Sequence, residues 1–478
     1  MELDPKSPPI SQDLLEKEKE DDQEPYETTT KIKHKGVPLL PLIFLIYFHV
    51  SGGPYGQEAA VGAGGPFYAI IGFIIFPLLW SVPEALVTAE LATTFPDNGG
   101  FVIWTHTAFG PFWGYLMGSW KFLSGVINLA SFPGLCIQYM DTVFPALSSG
   151  LTRHSTVFLF SSILSCLNYS GLNIVGYVSI GFGILSLIPF IALSAVAIPQ
   201  IDPSNWVVLT QKVGKKKEWK LFFNTLFWNL NSWDSVSTLS GEIRKPERTL
   251  PKALLSSIGL TCSAYLVPLV ASTGAMSFDL DDWMDGYYSY VAEEIAGSWL
   301  CNWMKYGAIF SGFGLFQAQL SSCSYQLQGM AELGILPRVF GARSSWFNTP
   351  WVGILVSASI AIPLSALKLE NMRALVNFLY SLGMILEFAA VIYLRVKLPA
   401  ATRPFKIPIG IKGLIGICVI PSGFLLFVLC AATKAVYLLS FVLTLLGVIW
   451  YFLLKIFREK MWFQFNKVGK KFVDEDLG

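Results

Sequence analysis

Charge is what this sequence has least of. Asp, Glu, Lys and Arg together make up 14% of its 478 residues, where soluble domains carry about a quarter. That scarcity excludes an ordinary solvated surface. The apolar residues, 53% of the chain, gather instead into runs of roughly 18 to 30, the length that crosses about 30 Å of hydrocarbon. Also missing are the cysteine and histidine spacings of zinc sites, a phosphate-cradling glycine loop and any Ser-His-Asp pattern, so no metal, no cofactor and no enzyme activity are expected. A net charge of +1 says nothing in favour of a nucleic-acid partner, and none is expected. Paired cysteine spacing is absent too. Most of the seven cysteines (136, 166, 262, 301, 323, 418 and 430) fall inside apolar runs, as small hydrophobes do. The first 35 residues are charged and proline-dotted, without the apolar core of a cleaved signal. Residues 1–36 therefore read as a disordered cytoplasmic tail, and the first span must direct insertion.

The fold class expected is an all-α polytopic membrane protein of twelve transmembrane helices, near 37–64, 66–94, 111–143, 155–172, 174–198, 220–241, 251–276, 302–333, 350–367, 371–396, 411–431 and 433–456. Residues 37–456 form this domain, and 457–478 a second cytoplasmic tail. An even count puts both termini on one side. If that side is cytoplasmic, Lys31, Lys33, Lys35, Arg244, Lys245, Arg248, Lys252, Arg338, Arg343, Arg395, Lys397, Arg403, Lys406, Lys412 and the tail from Lys455 lie inside, as the excess of inner Lys and Arg requires. The acidic loop with Asp279, Asp281, Asp282, Asp285, Glu293 and Glu294 then faces out. One stretch, "QKVGKKKEWK" (211–220), goes against this orientation.

Two of the spans are interrupted. "YFHVSGGPYGQEAAVGAGG" (47–65) enters as an apolar helix and is broken at Ser51-Gly52-Gly53-Pro54, with the carboxylate of Glu58 close behind. Span six, "FFNTLFWNLNSWDSVSTLSGEIRKP" (222–246), carries Asn229, Asn231, Ser232, Asp234, Ser235 and Ser237, too polar a set to face lipid. Unwound backbone at membrane depth is tolerated only where it is buried or lines a cavity. Breaks five spans apart are where a five-plus-five inverted repeat places discontinuous helices around a central site. Gly52, Gly53 and Gly56 allow the unwinding.

In these stretches the chain resembles the amino acid–polyamine–organocation transporter superfamily and, within it, the plant polyamine uptake transporters. The first break, "SVPEALVTAELATTFPDNGGFVIW" (81–104), "NLNSWDSVSTLSGEIRKPERTLPKAL" (229–254) and "GMAELGILPRVF" (329–340) carry the likeness, with "RPFKIP" (403–408) as a weaker fifth element. The resemblance covers residues 37–456. It implies the leucine-transporter-like inverted-repeat fold, alternating access, and proton-coupled import of putrescine, spermidine and spermine at the cell membrane, with an internal membrane as the alternative. It also implies a gating role over bound substrate for Trp228.

In amino-acid transporters of this architecture the N–H groups freed at such breaks hold the substrate carboxylate. A polyamine has none; it is a chain of ammonium groups. Glu58 in the first turn after one break and Asp234 in the first turn after the other would present anionic hosts in place of an anionic ligand. A lone carboxylate at mid-bilayer costs about 2.5–3.5 kcal/mol on insertion scales. A cation about 4 Å away returns about 4 kcal/mol at an effective dielectric of 20, so substrate offsets one acid and an empty site favours a proton. Glu58, Glu84, Asp234 and Lys121 are the proton-coupling candidates, and Lys121 in "GSWKFLSG" must pair with one of the acids. Glu90 reads as an ion pair near the inner face, and Glu387 stays open between structure and function. Tyr55, Trp228 and Trp233 would supply aromatic faces to ammonium groups, at about 0.5 to 2 kcal/mol each, although most aromatics in such a chain face lipid or its interfaces. The substrate-binding set is thus Gly52, Gly53, Tyr55, Glu58, Glu84, Trp228, Asn231, Trp233 and Asp234.

Two other functions fit the same spans: a cationic or neutral amino-acid transporter of this fold, and a sensor that binds substrate without moving it. Glu58 argues against the first. The loop "PALSSGLTRHST" (145–156) has no cysteine, so no disulfide-linked heavy chain is expected, and span five lacks the lysine that some proton-coupled relatives place there.

Overall fold

The computed structural model describes residues 36–141, 150–207, 217–276, 282–366 and 369–466. The expected N-terminal tail, the C-terminal tail beyond residue 466, most of the basic 211–220 stretch, and Asp279 and Asp281 lie outside the described residues. Residues from Val37 onward form one compact unit. Among the described residues the α-helices are α1 Leu39–Val50, α2 Glu58–Gly64, α3 Pro66–Phe76, α4 Val82–Thr94, α5 Phe101–Phe109, α6 Pro111–Asp141, α7 Gly150–Tyr169 and α8 Leu172–Ala197. They continue as α9 Trp219–Leu230, α10 Pro246–Ala275, α11 Tyr287–Ala296, α12 Ser298–Glu332, α13 Trp351–Leu364, α14 Leu369–Lys397, α15 Ile411–Ala431 and α16 Lys434–Glu459.

Helix runs through each of the twelve expected segments, with α5 and α11 as unexpected short helices in the connections. Among the described residues, seven segments are long and apolar enough to cross a membrane: Pro66–Thr94, Pro111–Met140, Leu172–Gln200, Pro246–Ala275, Met372–Lys397, Ile411–Ala431 and Lys434–Glu459. Others fall short of that measure for visible reasons. α1 is cut to 12 residues by the first break. α12 is 35 residues long but carries a run of buried Gln and Ser, including Gln317, Gln319, Ser321, Ser322, Ser324, Gln326 and Gln328. It packs against α6 and α8, and its small residues let those helices come close.

Each break has a local cause. At the first, Pro54 supplies no N–H, and Gly53 (φ +100°) and Gly56 (φ +91°) take the left-handed region that side chains disfavour. α2 is only seven residues long, ending at Gly65 (φ +90°) before Pro66 restarts the chain as α3. A Cβ on Gly53 would meet the Tyr47 hydroxyl at 3.1 Å in a strained conformation. Forcing a β-branched residue there costs about 1–3 kcal/mol. Gly53→Val should therefore reach the membrane yet lose at least about nine-tenths of transport, checked by surface labelling beside uptake.

At the second break α9 ends at Leu230 and Ser232 adopts φ +75°, rare for a non-glycine residue. Its N–H is held by the Tyr380 hydroxyl at 2.9 Å. Beyond it, Trp233–Glu242 winds as a 3-10 helix of ten residues, longer than such helices usually run. The Thr238 hydroxyl bonds the Ser235 carbonyl at 2.8 Å, a side-chain contact that competes with the α pattern. A third irregularity, the wide π-turn Pro77–Ser81, sits between Pro77 and Pro83, which supply no backbone donors. It aims the Ser81 hydroxyl at the Leu230 carbonyl (3.0 Å) and delivers Glu84 to the second break.

Candidate functional site

The two breaks touch. Asn229 donates to the Gly56 carbonyl at 3.1 Å, and Tyr265 donates to the Asn229 side chain at 2.9 Å. Beside this contact lies a cavity of about 40 Å³, room for about three waters. The first break lines it with His49, Ser51, Gly52, Tyr55 and Gly56, and the second with Trp228, Asn229 and Asn231. Asn128, Tyr139, Ser311, Asp285 and Arg373 close its flanks. Tyr55 is fixed by donating to the Met304 carbonyl at 2.8 Å.

Of the substrate-binding set expected from sequence, the cavity wall receives Gly52, Tyr55, Trp228 and Asn231. Glu58 stands behind that wall, fully buried. Its carboxylate accepts the Gly56 N–H at 2.7 Å and the Gly286 N–H at 3.2 Å. The amide freed by the first break is thus already satisfied by an acid of the chain.

Asp234 stands away from the cavity. Expected to meet substrate, its carboxylate is held by Lys121 at 2.5 Å, which also answers which acid the lysine pairs with. Asp234 is fully buried and does not line the cavity. Trp233 does not line it either: its indole N–H bonds the Leu230 carbonyl at 2.8 Å and caps the broken helix. Glu84 stands with Asp234. The Tyr380 hydroxyl lies 2.5 Å from Glu84 Oε1 and 2.9 Å from Asp234 Oδ1, and the Asp234 N–H donates to Glu84 at 3.2 Å. Lys121 Nζ sits 3.4 Å from the Tyr380 ring centroid. Glu387 joins the same electrostatic neighbourhood, fully buried and with neither oxygen hydrogen-bonded. Three acids and one lysine therefore share a site closed to water.

At the opposite flank, Trp228 donates to Asn128 at 3.3 Å, and the Arg373 guanidinium lies 4.3 Å from the Trp228 ring centroid. Arg373 donates to Asp285 at 2.8 Å. Sequence reasoning missed both charges. Asp285 read as one acid of a solvated outer loop. Arg373 carried a usable signal, as the one basic residue between 369 and 394.

Other ion pairs seal the ends of the breaks. Glu90 accepts from Arg395 at 2.9 Å and from the Ile407 N–H at 2.9 Å, with Arg403 at 3.5 Å, so the expected ion pair at Glu90 is present. Glu242, at the end of the 3-10 segment, bonds Arg343 and accepts from Asn98 at 3.0 Å. Burial works against the Arg343 charge, but Glu242 outweighs it and holds the guanidinium above its ordinary pKa. The start of α1 joins the same region through a parallel bridge between Val37 and Ile243. All seven cysteines are free. Among the described residues no group of three or more His, Cys, Asp or Glu is placed to hold a metal ion.

The family model described as amino acid permease matches residues 39–458. A probable polyamine transporter of Arabidopsis thaliana is 46% identical over 442 residues, covering 92% of this chain and 88% of its own length. Polyamine transporter RMV1 of the same plant is 45% identical over 92% of this chain and 89% of its own length. Polyamine transporter PUT1 of Oryza sativa subsp. japonica is 45% identical over 90% of this chain and 80% of its own length. These relatives are named as transporters, not enzymes. A match over nearly all the described helices, with relatives this similar along the whole span, makes the chain a membrane protein of the amino acid permease family.

Proposed function

We propose that the protein is a secondary active transporter that imports polyamines (putrescine, spermidine and spermine) by alternating access, in symport with protons. The observation that carries this reading is the Glu58 carboxylate on the Gly56 N–H. A transporter built for amino-acid carboxylates leaves such amides free for its ligand; here the position is filled by a fixed anion, and an acid and an indole stand at the cavity flank for a cation. The names of the relatives at 45–46% identity support the same substrate class.

The reading includes twelve membrane crossings over 37–456, a five-plus-five inverted repeat with spans one and six broken, and both termini in the cytoplasm at the cell membrane. Glu58 and Asp285 supply the field that attracts the substrate, while Trp228 and Tyr55 provide its aromatic walls. Glu84, with Asp234 and Lys121, carries the proton. The cavity between the two breaks is where the substrate binds in this reading.

Uptake of labelled putrescine and of labelled arginine into vesicles holding the full-length protein tests the reading. Putrescine should accumulate faster than arginine and faster still under an inward proton gradient. Faster arginine uptake would replace it with an amino-acid transporter, and binding without uptake with a sensor.

A further inference from the structure

Arg373 places a cation where the cavity is equipped to receive one. Its guanidinium is held by Asp285 at 2.8 Å and stacked 4.3 Å from the Trp228 ring centroid. All three residues line the cavity between the breaks. A carboxylate beside an indole face is what an alkylammonium group seeks in a partly dry site. We propose that Arg373 is a tethered competitor for this seat: in the substrate-free state it occupies the position that one ammonium end of the substrate takes over. This rests on the polyamine reading above and adds to it a residue that sets affinity and selectivity.

Three features of the site support the exchange. The seat holds more acceptor capacity than Arg373 uses, since Asp285 Oδ1 is buried without a hydrogen-bond partner. The acid is backed by a second one. Glu58 accepts the N–H of Gly286, the residue next to Asp285, so a second carboxylate adds to the negative field at the seat. The swap is also cation for cation, so the charge buried against Asp285 does not change when a substrate ammonium replaces the guanidinium. Neutral ligands cannot make that exchange, because lifting Arg373 away would leave Asp285 unpaired. A substrate carboxylate at the seat would meet two like charges. The exchange thus selects for a terminal ammonium on an apolar chain.

Steady-state putrescine uptake by the full-length protein in proteoliposomes tests this with a KM-against-kcat split. Arg373→Gln removes the competitor and should lower KM about three- to tenfold. Arg373→Lys should stay near the unmodified value. Asp285→Asn removes the seat's anion and should raise KM at least about tenfold with a smaller change in kcat. A KM that rises or stays unchanged in Arg373→Gln overturns the proposal. So does an unchanged KM in Asp285→Asn, which decides the matter alone if Arg373→Gln does not purify as a folded protein. If the unmodified protein moves no polyamine, the transport reading itself fails. Normal uptake with both KM values unchanged removes only the seat.

Discussion

Lys121→Met is expected to abolish uptake and to lower the Tm of the purified protein. Lys121 is the one cation among Glu84, Asp234 and Glu387, all fully buried, and it holds Asp234 at 2.5 Å. Buried ion pairs are not strong stabilisers against a well-packed apolar replacement, yet removing one partner strands the other and costs about 3–5 kcal/mol. For a chain of this size that corresponds to a Tm lower by about 3–6 °C. The double variant Lys121→Met/Asp234→Asn should recover most of the lost Tm, because no charge is stranded, and should still fail to transport. Near-normal uptake by Lys121→Met would remove the buried cluster from the mechanism.

Glu84→Gln should separate substrate movement from the proton. The Tyr380 hydroxyl has one hydrogen but lies within bonding distance of two acids, Glu84 Oε1 at 2.5 Å and Asp234 Oδ1 at 2.9 Å, while its oxygen already accepts the Ser232 N–H. One hydrogen serves only one of these contacts. The other needs a proton on a carboxyl group, and Glu84 is the acid without the lysine. Counting charge leads to the same place, since one lysine leaves two of three buried carboxyl groups to be neutralised, and an unpaired buried charge is prohibitive. The amide retains the size and a hydrogen-bond acceptor but cannot release a proton. Exchange of labelled for unlabelled putrescine across vesicles without a gradient should continue within about threefold, whereas accumulation driven by an inward proton gradient should fall at least about tenfold. Gradient-driven accumulation equal to that of the unmodified protein would relocate the proton site.

Both predictions concern residues whose types were visible in the sequence and whose partners were not. Lys121 announced itself as a cation in an apolar run, and Glu84 and Asp234 as acids beside prolines and a polar break. That Asp234 is held by the lysine depends on α6 reaching the second break from 113 positions away. Trp233 and Trp228 lie five residues apart around one interruption, and both were expected to offer aromatic faces. The backbone reversal at Ser232 turns Trp233 inward as a cap on Leu230 and leaves Trp228 on the cavity wall. Asp285 and Arg373 were invisible as a pair, because a loop acid and a helix-end arginine 88 residues apart carry no shared pattern.

What the sequence determined by itself is whatever hydrocarbon demands locally: the run lengths of the spans, the two interruptions, and the choice of a carboxylate beside the first of them. A backbone in lipid must satisfy its own polar groups, so each break is written in glycine, proline and polar side chains at that position. Tertiary structure alone decided how the buried charges are shared out, giving Lys121 to Asp234 and Arg373 to Asp285. Pairing energy depends on separations of a few ångströms between helices distant in the chain, and neither composition nor periodicity encodes those separations.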